Sequence, residues 1–230
     1  MSLIAKNLCM SFEKTFRNKA SQSRIILDQV DFRLDRGRIT QIVGPSGCGK
    51  STFLNILCGL LKPKSGEVLY DGENIYNLSD RQLSELRNCK FGIALQHNIG
   101  IGSITTLENI NLPLAYQSGI EEVSLKRARH LIEQLNISHL AECLPGELSG
   151  GEMRRMCIAR ALINCPEFIF ADEPTSDLDP QNTAIVMSAL RKAAQNGAGI
   201  LIVSHDREIS SYTDETYTVS EAQLRRVSEE

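Results

Sequence analysis

The eight residues Gly44-Pro45-Ser46-Gly47-Cys48-Gly49-Lys50-Ser51 constrain this chain more than any other stretch. Their spacing, Gly-x4-Gly-Lys-Ser, is that of a loop that wraps phosphate. The apolar run from Ile39 to Val43 enters it as a strand, and Thr52 to Leu57 leave it as a helix, the setting the motif requires. Glycine has no Cβ, so Gly44, Gly47 and Gly49 let the backbone curl and aim N–H groups inward. The positive end of the following helix adds to the attraction. In this reading Lys50 reaches the β- and γ-phosphates and the Ser51 hydroxyl ligates Mg²⁺. Pro45, Ser46, Cys48 and Thr52 complete the wrap. A glycine-rich turn with an incidental lysine would match by chance roughly once in a hundred chains of this length. Nucleotide binding is the stronger reading.

Around the loop the chain reads as alternating strands and helices. Residues 3–12 and 25–34 are expected strands; in the second, Val30, Phe32 and Leu34 alternate with Gln29, Asp31 and Arg33. Lys14 to Arg24, polar and basic, is expected to be an exposed loop. Glu67 to Tyr70 reads as a strand closed by the Asp71-Gly72 turn. A short apolar strand from Phe91 ends at Gln96, and residues from about 97 to 148 are expected to be helical. Within them Ala128, Leu131, Ile132 and Leu135 form a stripe at helical spacing. Helices are also expected over Met153–Ile163 and Asn182–Gln195, and buried strands over Glu167–Ala171 and Gly199–Val203. A final hairpin closes the chain. Strands and helices of this length imply α/β architecture, a parallel sheet with helices on both faces, with antiparallel strands beside it.

Composition narrows the function classes. A net charge of −3 and a pI near 5.9 give no electrostatic footprint for nucleic acid. Seven cysteines, never spaced Cys-x2-Cys and with no secretory signal read before them, are expected to be reduced thiols. No apolar run approaches a membrane span, so any membrane role is expected to be peripheral. Open parallel sheets gather ligands at the carboxyl ends of strands. The phosphate loop, Gln96, Asp172-Glu173 and His205 all fall at such ends. Asp172 suits Mg²⁺ opposite Ser51, Glu173 suits proton abstraction from water, and His205 suits contact with the γ-phosphate. Ser149 and Glu152 form a capping box at a helix start, and the intervening Gly150 and Gly151 leave bare N–H groups for a second phosphate contact.

In this order these motifs closely resemble the ATP-binding cassette of ABC transporters over essentially the whole chain. Gly44–Ser51 is similar to Walker A, Gln96 to the Q-loop glutamine, and Leu148–Glu152 followed by Ile158–Leu162 to the family signature. Phe168–Glu173 resembles Walker B with its catalytic glutamate, Ser176–Asp179 the D-loop, and His205 the switch histidine. The resemblance implies a P-loop, RecA-like core with an N-terminal antiparallel β-subdomain and an inserted helical subdomain. One cassette of 1–230 is expected, with 1–96 and 152–230 as the core and 97–151 as the helical part. Catalysis would involve Glu173, His205 and Gln96, and Mg²⁺ would be held by Ser51, Gln96 and Asp172. ATP would contact Phe12 or Phe16 through its adenine, and Ser149, Gly150, Gly151 and Asp177 across an ATP-dependent, head-to-tail homodimer. A separate permease at the cytoplasmic face of the cell membrane is the implied partner, with no nucleic acid. Residues Thr106–Leu114 and Leu144–Glu147 resemble the lipoprotein-release and macrolide-export group. The glycine usual in the family's C-terminal hairpin is missing near Ala222, which leaves that turn open. A soluble ABC ATPase of DNA repair or translation is the alternative, although the chain lacks long coiled-coil insertions and a second cassette. A P-loop kinase or GTPase would leave the signature and Gln96 without a role.

Overall fold

Three fully buried central strands set the architecture. β3 (Ile39–Val43), β7 (Phe168–Asp172) and β8 (Gly199–Val203) are buried at every position, as strands covered on both faces must be. They sit inside a six-stranded sheet of order β10-β9-β3-β8-β7-β6, where β6 is Phe91–Ala94, β9 is Glu215–Ser220 and β10 is Gln223–Arg226. All pairings in it are parallel except the β9–β10 hairpin. The computed structural model describes residues 2–15, 21–96, 99–118, 122–176, 178–206 and 208–227.

The pleat divides the core in two. Ile169, Ala171, Ile200 and Ile202 face one apolar cluster, which also holds α4 (Glu122–Gln134), α5 (Gly150–Leu162) and α6 (Pro180–Gln195). Phe168, Phe170, Leu201 and Val203 face the other, with α1 (Lys50–Leu57) and the second sheet. That sheet is antiparallel, of order β2-β1-β4-β5, from β1 (Ser2–Thr15), β2 (Ser21–Asp35), β4 (Ser65–Tyr70) and β5 (Glu73–Asn74). Edge-to-face rings tie the layers together: Phe32 lies 5.3 Å from Phe53, and Tyr70 of β4 lies 5.9 Å from Phe91 of β6.

Three expectations need correction. Lys14 to Arg24 is no loop at its described ends, because β1 runs to Thr15 and β2 starts at Ser21, paired Lys14↔Gln22 and Thr15↔Ser21. An antiparallel ladder is bonded through the backbone and propagates past the last apolar residue. The region after Gln96 is not helical at once: α3 starts only at Thr106 and runs to Ser118. A helix unforeseen from the sequence, α2 (Asp80–Lys90), precedes β6. It buries no residue fully and packs on the core only through the half-buried Leu83 and Leu86; its clearest signal was the Ser79–Gln82 capping box. The stripe on α4 is as expected, with Ala128, Leu131, Ile132 and Leu135 all buried.

Candidate functional site

The phosphate loop is held open by a glycine that nothing else can replace. Gly49 has φ of 110°, and a Cβ there would lie 2.5 Å from the Ile26 methyl. Gly49 also sits at the N-cap of α1, so no side chain caps that helix and its first N–H groups face an outside acceptor. Lys50 is buried, and its Nζ donates to the carbonyls of Gly44 (2.7 Å) and Pro45 (3.1 Å), folded back over the loop. Arg24 on β2 steadies the loop by donating to the Gly47 carbonyl at 2.9 Å.

One cleft at the carboxyl ends of β3, β6, β7 and β8 gathers most of the expected residues. Ser46, Gly47, Gly49, Lys50, Ser51 and Thr52 form one wall. Asp172, Glu173, His205 and Gln96 form the opposite side, and Phe12 and Ile26 of the antiparallel sheet provide an apolar shelf. Gln96 is exposed, two residues beyond the end of β6 rather than within it. Gly44, Pro45 and Cys48 belong to the same loop, and a Cβ on Gly44 would crowd the Cys48 Sγ at 2.9 Å. Phe16 and Asp177 lie outside the described residues.

Glu173 is the most constrained side chain in the cleft. Its backbone is left-handed (φ 51°), which few non-glycine residues adopt, and its side chain is nearly buried. The Ser204 hydroxyl donates to Oε2 at 2.9 Å, and the His205 backbone N–H donates to Oε1 at 3.0 Å. The His205 Nδ1 stands 2.9 Å from the same oxygen, a contact that places the ring proton on Nδ1 when the carboxylate is ionised. Glu173 and His205 are thus brought into direct contact, a pairing that spacing alone did not reveal.

Ser149, Gly150 and Gly151 are not part of this cleft's lining. Ser149 caps α5, with its N–H and hydroxyl both donating to Glu152, at 2.8 and 2.7 Å. These hydrogen bonds from the Ser149 side chain and backbone hold the Glu152 carboxyl below its ordinary range. Sequence reasoning missed Arg154, one turn further along. It is buried, and its Nη1 donates to the Glu173 carbonyl and the Ser176 hydroxyl. Nothing in its spacing set Arg154 apart from the other charged residues of α5, Glu152, Arg155 and Arg160.

Comparison with known proteins agrees with this geometry. Residues 27–176 match the family described as ABC transporter. The lipoprotein-releasing system ATP-binding protein LolD of Treponema denticola is 35% identical over 96% of this chain and 97% of its own. An uncharacterized ABC transporter ATP-binding protein of Methanocaldococcus jannaschii, MJ1508, is also 35% identical, covering 90% of this chain and 92% of its own. The dimeric structure of the ABC transporter cassette MJ0796 superposes with a TM-score of 0.89 at 30% identity, over 99% of this chain and all of that one. A second structure of that cassette, in a post-hydrolysis state with ADP and phosphate, matches equally well. With the phosphate loop, the acidic strand end and the signature helix all in place, the chain belongs to the ABC transporter family and is an ATP-binding, ATP-hydrolysing transporter subunit.

Proposed function

We propose that two copies of this chain, arranged head to tail, hydrolyse MgATP in two shared sites and drive a separate membrane permease. One observation carries this reading. The phosphate loop, Asp172, Glu173 and His205 share one cleft, whereas the Ser149–Gly151 end of α5 stands outside it. A second copy would bring that exposed helix end onto the nucleotide, an isologous arrangement that closes on itself.

Within the cleft, Lys50 turns from the loop carbonyls to the phosphates, and Phe12 stacks on adenine. Ser51, Asp172 and Gln96 supply hydroxyl, carboxylate and amide oxygens, hard donors that fit Mg²⁺, whose charge would neutralise the phosphates. Glu173 accepts the proton of the attacking water, its carboxylate aimed by Ser204 and His205. His205 turns its exposed ring to the γ-phosphate, and Asp177 belongs at the copy-to-copy contact. The division into a core of 1–96 and 152–230 and a helical part of 97–151 is part of the same reading. No helix among the described residues is long and apolar enough to cross a membrane. A separate permease at the cytoplasmic face would dock beside Gln96, where Leu60, Leu95 and Ile99 are exposed along one groove.

Mixing Lys50→Ala chains with Ser149→Arg chains tests the shared site. Each mixed pair concentrates both lesions in one site and leaves the other intact, so ATPase activity should return that neither variant shows alone. A cysteine pair across Lys50's loop and the signature should also join two chains when MgATP is present. Cross-links confined to single chains would overturn the arrangement.

A further inference from the structure

At the opposite end of the central sheet from the phosphate loop lies a cavity of about 210 Å³. Pro166 and Ala198, just before β7 and β8, form its base, and α4, α5, α6 and the turn after β2 contribute its walls. Its character is divided. Leu131, Leu162, Ala189 and Ala198 make an apolar floor, while Arg36, Arg127, His130 and Lys192 stand over it. Among the described residues, no Asp or Glu lines it.

The four basic groups are not equivalent. Arg36 is engaged, donating to the Gly197 carbonyl at 2.9 Å and to Glu167 at 3.4 Å. The His130 Nε2 meets the Gln134 amide at 2.6 Å. The side chains of Arg127 and Lys192 make no hydrogen bond or ion pair with a described residue. Arg127 is also partly buried, and burial alone pulls its guanidinium below its ordinary pKa, with no acid to offset it. Withdrawing a guanidinium from water without a counter-charge is unfavourable, and the chain meets that need nowhere within the cavity.

We propose that this cavity is a second ligand site, separate from the nucleotide cleft, for a small organic anion. The ligand carries one phosphate or carboxylate, set between Arg127 and Lys192, on an apolar body seated over Leu131 and Leu162. A dry cavity of ~150 Å³ accepts benzene, so a single ring with one anionic substituent is of the right size. Because α4 and α6 both line the cavity, occupancy ties the helical region to the sheet core.

Cys165, exposed in the cavity wall, provides the local reporter. Exposed Cys89 lies outside the cavity, Cys48 reports the phosphate loop, and the buried Cys58 thiol is pushed up to about 12 and stays silent. Alkylation of Cys165 in the full chain, saturated with MgATP, would be followed by mass spectrometry against phenyl phosphate, benzoate, inorganic phosphate and benzyl alcohol. Phenyl phosphate or benzoate should protect Cys165 saturably while Cys89 reacts unchanged, and the better of the two identifies the acidic group. In Arg127→Gln/Lys192→Gln, protection should weaken about ten-fold or more, as loss of charge-assisted contacts implies. Equal protection by benzyl alcohol would show an apolar cavity without anion recognition. Equal protection by inorganic phosphate would remove the apolar body from the proposal. No saturable protection, or protection unaltered in the double variant, would overturn it altogether.

Discussion

At Glu173 a left-handed backbone and a buried carboxylate coincide in one residue, each unfavourable and each compensated by named partners. The strand bond from its N–H to the Val203 carbonyl (2.8 Å) and the Arg154 contact to its carbonyl fix the turn, while Ser204 and His205 satisfy the side chain. Glu173→Gln retains an oxygen for Ser204 but cannot take a proton from water. ATP should still bind, and turnover should fall by about 10²–10⁴-fold, the usual contribution of a positioned base; a single-turnover assay with labelled ATP measures it. At the other end of the chain, Glu221 (φ 52°) and Ala222 (φ 60°) make the two-residue turn between Ser220 and Gln223. Both φ values are positive, the mark of a type I′ turn, which favours Asn-Gly. The missing glycine was visible in the sequence, but not that the chain accepts the strain instead of changing the turn. Ala222→Gly should therefore stabilise the fold by about 0.5–1 kcal/mol, read from urea denaturation.

Among the elements, legibility followed burial. β8 and the first four residues of β7 are continuous apolar runs, β3 is apolar at Ile39, Ile42 and Val43, and α4 shows an unbroken stripe, so these elements were the plainest in the sequence. α2 lies on the surface with nothing buried, and the ends of β1 and β2 are joined by backbone bonds that leave no mark on side-chain polarity. The motifs placed the candidate catalytic residues at strand ends, but the contacts among them depend on tertiary register. Asp214 shows how such contacts join elements. It accepts from the Ile39 N–H at the start of β3 (2.7 Å) and from Arg191 of α6 (2.9 and 3.0 Å). Burial works against its charge, yet the Arg191 and Ile39 hydrogen bonds hold its carboxyl below the ordinary 3.8. A depressed carboxyl contributes stability above its unfolded pKa and loses it as pH falls through the folded value. Asp214→Asn should thus be less stable than the parent at pH 6, and the gap should narrow as pH falls below the ordinary 3.8 and through the depressed folded value; melting curves from pH 6 downward would show it. A gap independent of pH would assign the loss to packing.

For the whole molecule, the central sheet acts as a partition between two cores, with α1 on one side and α4, α5 and α6 on the other. The nucleotide cleft and the basic cavity lie at its two ends; the cavity's apolar floor belongs to the core of α4, α5 and α6, and Ile26 in the cleft to the other. The strand bonding also continues past the formal strand ends on the catalytic side: Glu173 N–H to Val203, and Ser204 N–H to Ile42 at 3.0 Å. Gln96, by contrast, is exposed and lies beyond the end of β6. The consequence is one of time. The turn that carries Glu173 should open only as slowly as the central strands it is bonded to, while Gln96, on the same side of the cleft, should keep a faster clock. Amide hydrogen exchange should resolve the two, with Glu173 and Ser204 protected like β8 and Gln96 exchanging orders of magnitude sooner. Equal exchange at the three amides would mean that this side of the cleft opens as a unit; unequal exchange would mean that Gln96 samples other positions while the turn at Glu173 stays closed.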